Sequence, residues 1–135
     1  MTVAIIGSKE ALALHGEGAT YLDVRSIPEF EAGHAPGAYN IPLLHMANGG
    51  MQPNPQFAAE VGAALADRDQ TVIVACKAGG RSAKAAAILE QLGFTRVLDY
   101  SGGWSGNPTD AGWERSGGAS TKEHTPGRSH GELAK

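Results

Sequence analysis

The stretch "VIVACKAGGRSAKAAAILEQLG", Val72–Gly93, joins two different periodicities. With Thr71 before it, "TVIVA" is a continuous apolar run rich in β-branched residues. Such a run suits a strand buried on both faces of a parallel sheet. From Ser82 to Leu92 the pattern is helical. Ala85, Ile88, Leu89 and Leu92 recur on one face, and Gly93 supplies the stop. Between strand and helix stand Cys76, Lys77, Ala78, Gly79, Gly80, Arg81 and Ser82. A strand that hands over directly to a helix is half of a βαβ unit, so this segment predicts a parallel α/β fold.

The rest of the chain repeats the alternation. "TVAII" reads as a first strand, with Ser8 as N-cap of a helix over "KEALALHG" that closes near Gly16. Tyr21–Val24 is a second strand. Pro28 is placed to open a short helix and Gly33 to end it. "AYNI" is a short strand, and "LLHMANGGMQPNP" has the Asn, Gly and Pro content of a loop. Asn54 with Pro55 is placed to start the helix "QFAAEVGAALADR". "TRVLDY" is a last strand, and "GGWSGNPTDAGWE" is turn-rich. The expected class is α/β, a central, mostly parallel sheet flanked by helices. One domain is expected over 1–114. Residues 115–135 are rich in Gly, Ser, Thr and charge, which predicts a flexible tail.

Composition narrows the function classes. Among 135 residues, 41% are hydrophobic and 19% charged, which suits a packed core. A net charge of −3 gives no nucleic-acid footprint. One cysteine excludes an internal disulfide framework. No apolar run reaches membrane-spanning length, and the first residues lack the features of a signal peptide. These readings predict a soluble cytoplasmic protein, with an organelle stroma or matrix as the alternative if a presequence has been removed.

The position of Cys76 carries chemistry. Ligands of open α/β sheets bind outside the carboxyl ends of the strands. A helix N-terminus there offers unpaired N–H groups. Gly79 and Gly80 can take positive φ and curl those groups toward one point. A thiolate at that point is stabilised, and Lys77 and Arg81 add positive charge. The competing reading is a small buried hydrophobe. "CKAGGRS" lacks the P-loop pattern. His34 and His45 are available as bases, but nothing in the sequence pairs either with Cys76. Scattered histidines and one cysteine have no zinc spacing.

"CKAGGRS" resembles the active-site loop of the rhodanese family of sulfurtransferases. "YLDVRSIPEFEAGHAPGAYNIPL", Tyr21–Leu43, is similar to that family's N-terminal signature, and "GGWSGN", Gly102–Asn107, to its C-terminal one. The resemblance spans about residues 3–113. The segment "NGGMQPNPQF" further resembles single-domain thiosulfate sulfurtransferases of plants, algae and bacteria. The resemblance implies Cys76 as nucleophile and persulfide carrier, with the loop Lys77–Ser82 binding the sulfur donor. Thiosulfate is the implied donor, and cyanide, glutathione or a thioredoxin-like thiol the acceptor. It implies no metal or organic cofactor and a monomer, while charge and the lack of a membrane-length apolar run predict no nucleic-acid or membrane partner. The spacing Cys76 to Arg81 is the short form of the loop. The resemblance associates that form with sulfur, and the form one residue longer with Cys-dependent phosphatases and arsenate reductases. A sulfur-relay protein loaded by a partner is a further alternative.

Other residues have more than one reading. Lys77 beside the nucleophile can hold a dianionic donor or be a solvated loop lysine. Arg81 can stabilise the loop and the persulfide, or pair with an acid and brace the fold. Ser82 is a first-turn or N-cap residue of its helix. Asp23 and Arg25 match the Asp-Val-Arg of the N-terminal signature. Asp23 is expected to brace the region by hydrogen bonds, and Arg25 to pair with Glu29 or Glu31. His34 is expected to be a satisfied structural histidine. Met46, Met51 and Phe57 are candidates for the pocket mouth or for packing.

Overall fold

The computed structural model describes residues 3–47, 50–123 and 128, without the side chains of residues 46 and 47. The elements in chain order are β1 (Ala4–Ile6), α1 (Ser8–Gly16), β2 (Thr20–Asp23), α2 (Ile27–Ala32), β3 (Tyr39–Asn40), β4 (Leu44–Ala47), β5 (Gly50–Pro53), α3 (Phe57–Ala64), β6 (Thr71–Ala75), α4 (Gly80–Gln91) and β7 (Arg96–Tyr100). Among the described residues β1, β7, β6, β2 and β3 form one sheet in that order. Every pairing in it is parallel. The carboxyl ends of all five strands therefore lie on one rim. Asp23 sits opposite Ala75, and Ala75 opposite Tyr100.

The alternation of β6 divides the core. Val72 and Val74 face a cluster with Phe57, Val61, Ala85 and Leu89 of α3 and α4. Ile73 and Ala75 face a second cluster with Ala11 of α1, Phe30 of α2, Tyr100 and Trp113. Leu22 and Tyr21 split the same way on β2. Both faces are covered, which is why the central strand reads as one apolar run. Cys76 continues the Val72–Val74 side and lies in the α4 cluster.

Local details depart from the sequence reading in four places. The segment expected as a loop holds an antiparallel hairpin, β4–β5, with Leu44 opposite Pro53 and His45 opposite Gln52. Its strands pair with each other and not with the main sheet, so composition concealed them. Helix α1 is capped by Gly7, and Ser8 is its first residue. The cap is supplied from afar: the Asp110 carboxylate accepts the Ser8 N–H at 2.9 Å and also binds its hydroxyl. That places a negative charge at a helix N-terminus. Asn54 does not cap α3. Its Oδ1 accepts the Gln56 N–H at 3.0 Å in a turn, and Gln56 is the N-cap. Finally, α3 stops at Ala64, and Arg68 donates to Leu65 O at 2.6 Å instead of extending the helix.

The segment after Trp113 folds back onto the body as far as it is described. The Trp113 indole donates to Ala119 O at 2.7 Å, and His34 and Thr121 exchange backbone hydrogen bonds, both at 2.9 Å. Arg128 donates to Gly37 O at 2.8 Å and lies over the Tyr39 ring. The rest of the tail expected over 115–135 lies outside the described residues.

Candidate active site

Cys76 follows the last residue of β6 and is 2% exposed. Its Sγ accepts the Gly79 N–H at 3.0 Å. Gly79 is the N-cap of α4 with φ +116°, and a Cβ there would lie 2.6 Å from Ser101 O. Only glycine fits on both counts. Gly80 differs from the expectation. It has no positive φ, begins α4, and a Cβ there would meet nothing within 4 Å.

The loop is clamped from behind by the segment after β7. Trp104 N–H donates to Cys76 O and Ser105 N–H to Lys77 O, both at 2.9 Å. The Asn107 amide donates to Ala78 O at 3.1 Å and to Ser101 O at 2.9 Å. Three consecutive carbonyls thus point toward 104–107. In a planar trans peptide the N–H of the next residue points the opposite way. The N–H groups of Lys77, Ala78 and Gly79 are therefore turned away from the clamp, and that of Gly79 meets the sulfur. Gly103 makes the contact possible: its φ is +63°, and a Cβ would lie 2.5 Å from Cys76 O.

Arg81 is bound to an acid. Its guanidinium forms a two-bond pair with Glu29, at 2.7 and 3.0 Å. Glu29 also accepts the N–H and hydroxyl of Ser26, closing the capping box of α2. Burial opposes the Glu29 charge, but the bonds from Arg81 and Ser26 outweigh it and hold the carboxyl at about 2 against an ordinary 4.5. This corrects the expected partner of Arg25, which pairs instead with Asp23 at 2.7 Å. Arg25 also donates to Gly33 O at 2.7 Å and lies 4.9 Å from the Trp104 ring centre. Asp23 and Arg25 are both buried, and they join the end of β2 to the turn at Gly33. The Ser82 hydroxyl faces Gly79 O at 2.9 Å and Asp99 Oδ1 at 2.6 Å, so it ties the start of α4 to β7. Burial raises the Asp99 carboxyl above its ordinary range, and the Ser82 bond partly counters this.

A cleft of about 460 Å³ opens over the loop. Leu43 and Leu44 give it an apolar lining. Cys76, Lys77, Ala78 and Gly80 supply the loop side, with Arg81 and Lys84 on α4. Among the described residues no histidine lines it. His34 is buried, with Nδ1 2.7 Å from Phe30 O and Nε2 2.9 Å from Glu123 O, as a structural histidine would be. Phe57 is in the core, Met51 is exposed on the hairpin, and the Met46 side chain lies outside the described residues. Another depression, of about 350 Å³, lies at the opposite ends of β2 and β6 around Thr20 and Thr71, and has no cysteine or cation in its lining. Among the described residues no three His, Cys, Asp or Glu side chains are grouped to hold a metal. Sequence reasoning missed Lys84, Glu29 as the partner of Arg81, and Asn107 as a clamp. The helical spacing from Gly80 carried a signal for Lys84. The other two depend on three-dimensional neighbours.

The Rhodanese-like domain family profile matches residues 8–107. The chain belongs to the rhodanese family. Thiosulfate sulfurtransferase 16, chloroplastic, from Arabidopsis thaliana is 44% identical over 99 residues, 70% of this chain and 82% of that protein. Protein HIGH ARSENIC CONTENT 1, mitochondrial, from the same plant is 40% identical over 88 residues, 65% of this chain. The chain spans only about half of that protein's length (52%). Among solved structures, a rhodanese with anions from E. coli superposes with a TM-score of 0.54 at 27% identity, covering 78% of this chain and 100% of that one. The rhodanese signatures at Tyr21–Leu43, Cys76–Ser82 and Gly102–Asn107 thus converge on one rim of the sheet.

Proposed function

We propose that this rhodanese domain is a sulfurtransferase that takes the outer sulfur of thiosulfate onto Cys76 and passes it to a nucleophilic acceptor. The observation that carries this reading is the Cys76 sulfur, bonded by the Gly79 N–H inside a loop whose Cys76, Lys77 and Ala78 carbonyls are turned toward the 104–107 clamp. The relatives support the reaction class, since one of them is named a thiosulfate sulfurtransferase.

In the first half-reaction the Cys76 thiolate attacks the outer sulfur of thiosulfate. An S–S bond forms, the S–S bond of the donor breaks, and sulfite leaves with its electron pair. The enzyme then holds a persulfide anion. The loop N–H groups stabilise that charge without reorganising, because the 104–107 clamp already fixes them. Lys77 has no side-chain partner among the described residues, and it borders the cleft beside Cys76. It is free to hold the dianionic donor. Arg81 supports the loop through Glu29. Asp23 and Arg25 support the neighbouring strand end. In the second half-reaction cyanide, glutathione or a thioredoxin-like thiol removes the sulfur. The reading uses no metal or organic cofactor and a monomer. It suits a reducing compartment, either cytoplasm or an organelle stroma or matrix, where a lone cysteine stays a thiol.

The test is intact mass after incubation with thiosulfate. One sulfur, about 32 Da, should add at Cys76 and should be absent in Cys76→Ser. No adduct on a protein whose thiol still reacts with a maleimide would refute the mechanism. A relay role is favoured by one observation, the exposed Met51 on the hairpin that continues from the cleft lining. Loading by a desulfurase with negligible thiosulfate turnover would establish it instead. A Cys-dependent phosphatase or arsenate reductase needs a guanidinium free to clamp an oxyanion, and Arg81 is committed to Glu29. Cys76-dependent phosphate-ester hydrolysis or arsenate reduction would reverse that judgement.

A further inference from the structure

Three cationic side chains border the cleft, and they are not equivalent. Arg81 is neutralised by Glu29. Lys77 adjoins the nucleophile. Lys84 has no assigned role, yet it lines the same cleft. It stands four residues after Gly80 in α4, so both share one helix face. Its backbone is about 6 Å farther along the helix axis, away from the loop. Lys84 is exposed, and among the described residues no acid or hydrogen-bond partner engages its side chain. Leu43 and Leu44 provide apolar surface in the same space. At about 460 Å³ the cleft is sized for an organic molecule, within the range of roughly 300–1,000 Å³ for such sites. Neither thiosulfate nor cyanide needs an apolar wall or a cation one helical turn away from the sulfur.

We propose that Lys84 is the specificity-determining residue for the acceptor and that the acceptor is a small thiol carrying a carboxylate. The proposal rests on the sulfurtransferase reading. Lys84 takes the carboxylate, Leu43 and Leu44 receive the carbon chain, and the thiolate reaches the sulfur on Cys76. The acceptor thiol gives its proton to the Cys76 persulfide anion, and the resulting thiolate attacks the outer sulfur of the protonated persulfide. A new S–S bond forms, the bond to Cys76 Sγ breaks, and its electron pair returns to Sγ as thiolate. The proton stays on the transferred sulfur, so the product is an organic hydropersulfide. No oxidant or reductant is consumed.

The experiment uses the full chain loaded with thiosulfate and freed of excess donor. Discharge is followed with 3-mercaptopropionate, 2-mercaptoethanol and cysteamine, which carry a carboxylate, a neutral group and an ammonium. Each thiol is compared with itself across wild type, Lys84→Ala, Lys84→Arg and Lys84→Glu. Lys84→Ala should slow discharge by 3-mercaptopropionate about two- to fivefold, the effect of one exposed ion pair. Discharge by 2-mercaptoethanol should change less. Lys84→Arg should retain the preference, and Lys84→Glu should turn it toward cysteamine. Equal effects on all three thiols, or a larger effect on the thiosulfate KM than on any acceptor, overturn the proposal. A second readout needs no sulfur transfer. Cys76 is the only cysteine, so the rate ratio of 3-maleimidopropionate to N-ethylmaleimide reports the cation directly. A ratio that falls in Lys84→Ala supports the anion site even if loading fails, in which case the sulfurtransferase reading alone is lost. An unchanged ratio counts against Lys84 whatever the loading.

Discussion

The donor side of the proposed reaction turns on a single side chain, Lys77. If Lys77 supplies charge that thiosulfate feels equally in ground and transition states, Lys77→Ala raises KM more than it lowers kcat. Steady-state kinetics with thiosulfate and cyanide check this, and an unchanged KM returns Lys77 to the solvated surface. Arg81 behaves differently because its charge is already spent on Glu29. Glu29 has a folded-state carboxyl at about 2 and an ordinary value of 4.5. A depressed acid stabilises the fold fully above its ordinary value and loses that contribution as pH falls toward its folded value. The pair should therefore weaken between about pH 4.5 and 2. Urea unfolding over that range should show wild type losing its advantage over Glu29→Gln, and parallel curves would refute the assignment. The position of Cys76 at a strand end before a helix was readable because strand end, glycine and helix start are adjacent in sequence. The Arg81–Glu29 pair was not, since its members are 52 positions apart. Either Arg25 or Arg81 satisfies the charge pattern on paper.

At the level of elements, the loop depends on its two neighbours more than on its own composition. The two adjacent glycines should respond in opposite ways. Gly79→Ala forces a strained φ and a clash with Ser101 O, so the turn must rebuild, and both stability and sulfur loading should fall. Gly80→Ala meets open space in a helical position. Its stability should stay level or rise by up to about 1 kcal/mol. Thermal melts of both variants separate strain from a mere preference for glycine. Deeper in α4, Leu89 is fully buried between α4 and the sheet. Leu89→Ala should cost about 2–5 kcal/mol in denaturant unfolding. The long elements were legible because their apolar period repeats over enough residues to be unambiguous. β6 and α4 were read within two residues at each end. The β4–β5 hairpin was hidden because its stability comes from mutual pairing, while its Asn, Gly and Pro content advertises a loop. The caps were misread for a similar reason. Ser8 and Asn54 are good cap residues in isolation, but Asp110 and Gln56 sit where the folded chain needs them.

For the molecule as a whole, the boundary after residue 114 is the expectation under most strain. Trp113 is fully buried against Tyr21 and His15, and its indole is satisfied by Ala119 beyond that boundary. Thr121 pairs with His34, inside the N-terminal signature. Truncation after Glu114 strips these partners and leaves the Trp113 N–H and the His34 backbone without them. It should lower the melting temperature by several degrees, as a loss of about 1–2 kcal/mol does in a domain of this size. An unchanged melting curve would support a tail that merely trails. The parallel sheet has one more implication. Every strand of the five-stranded sheet ends on the same rim, so the proposed chemistry gathers where Val24, Cys76 and Ser101 follow their strands. The other rim carries the turn at Asp67–Asp69, whose two aspartates are exposed. That turn is a natural port for grafted sequence: a peptide tag or a reporter module inserted there would ride on the enzyme while leaving its working end untouched.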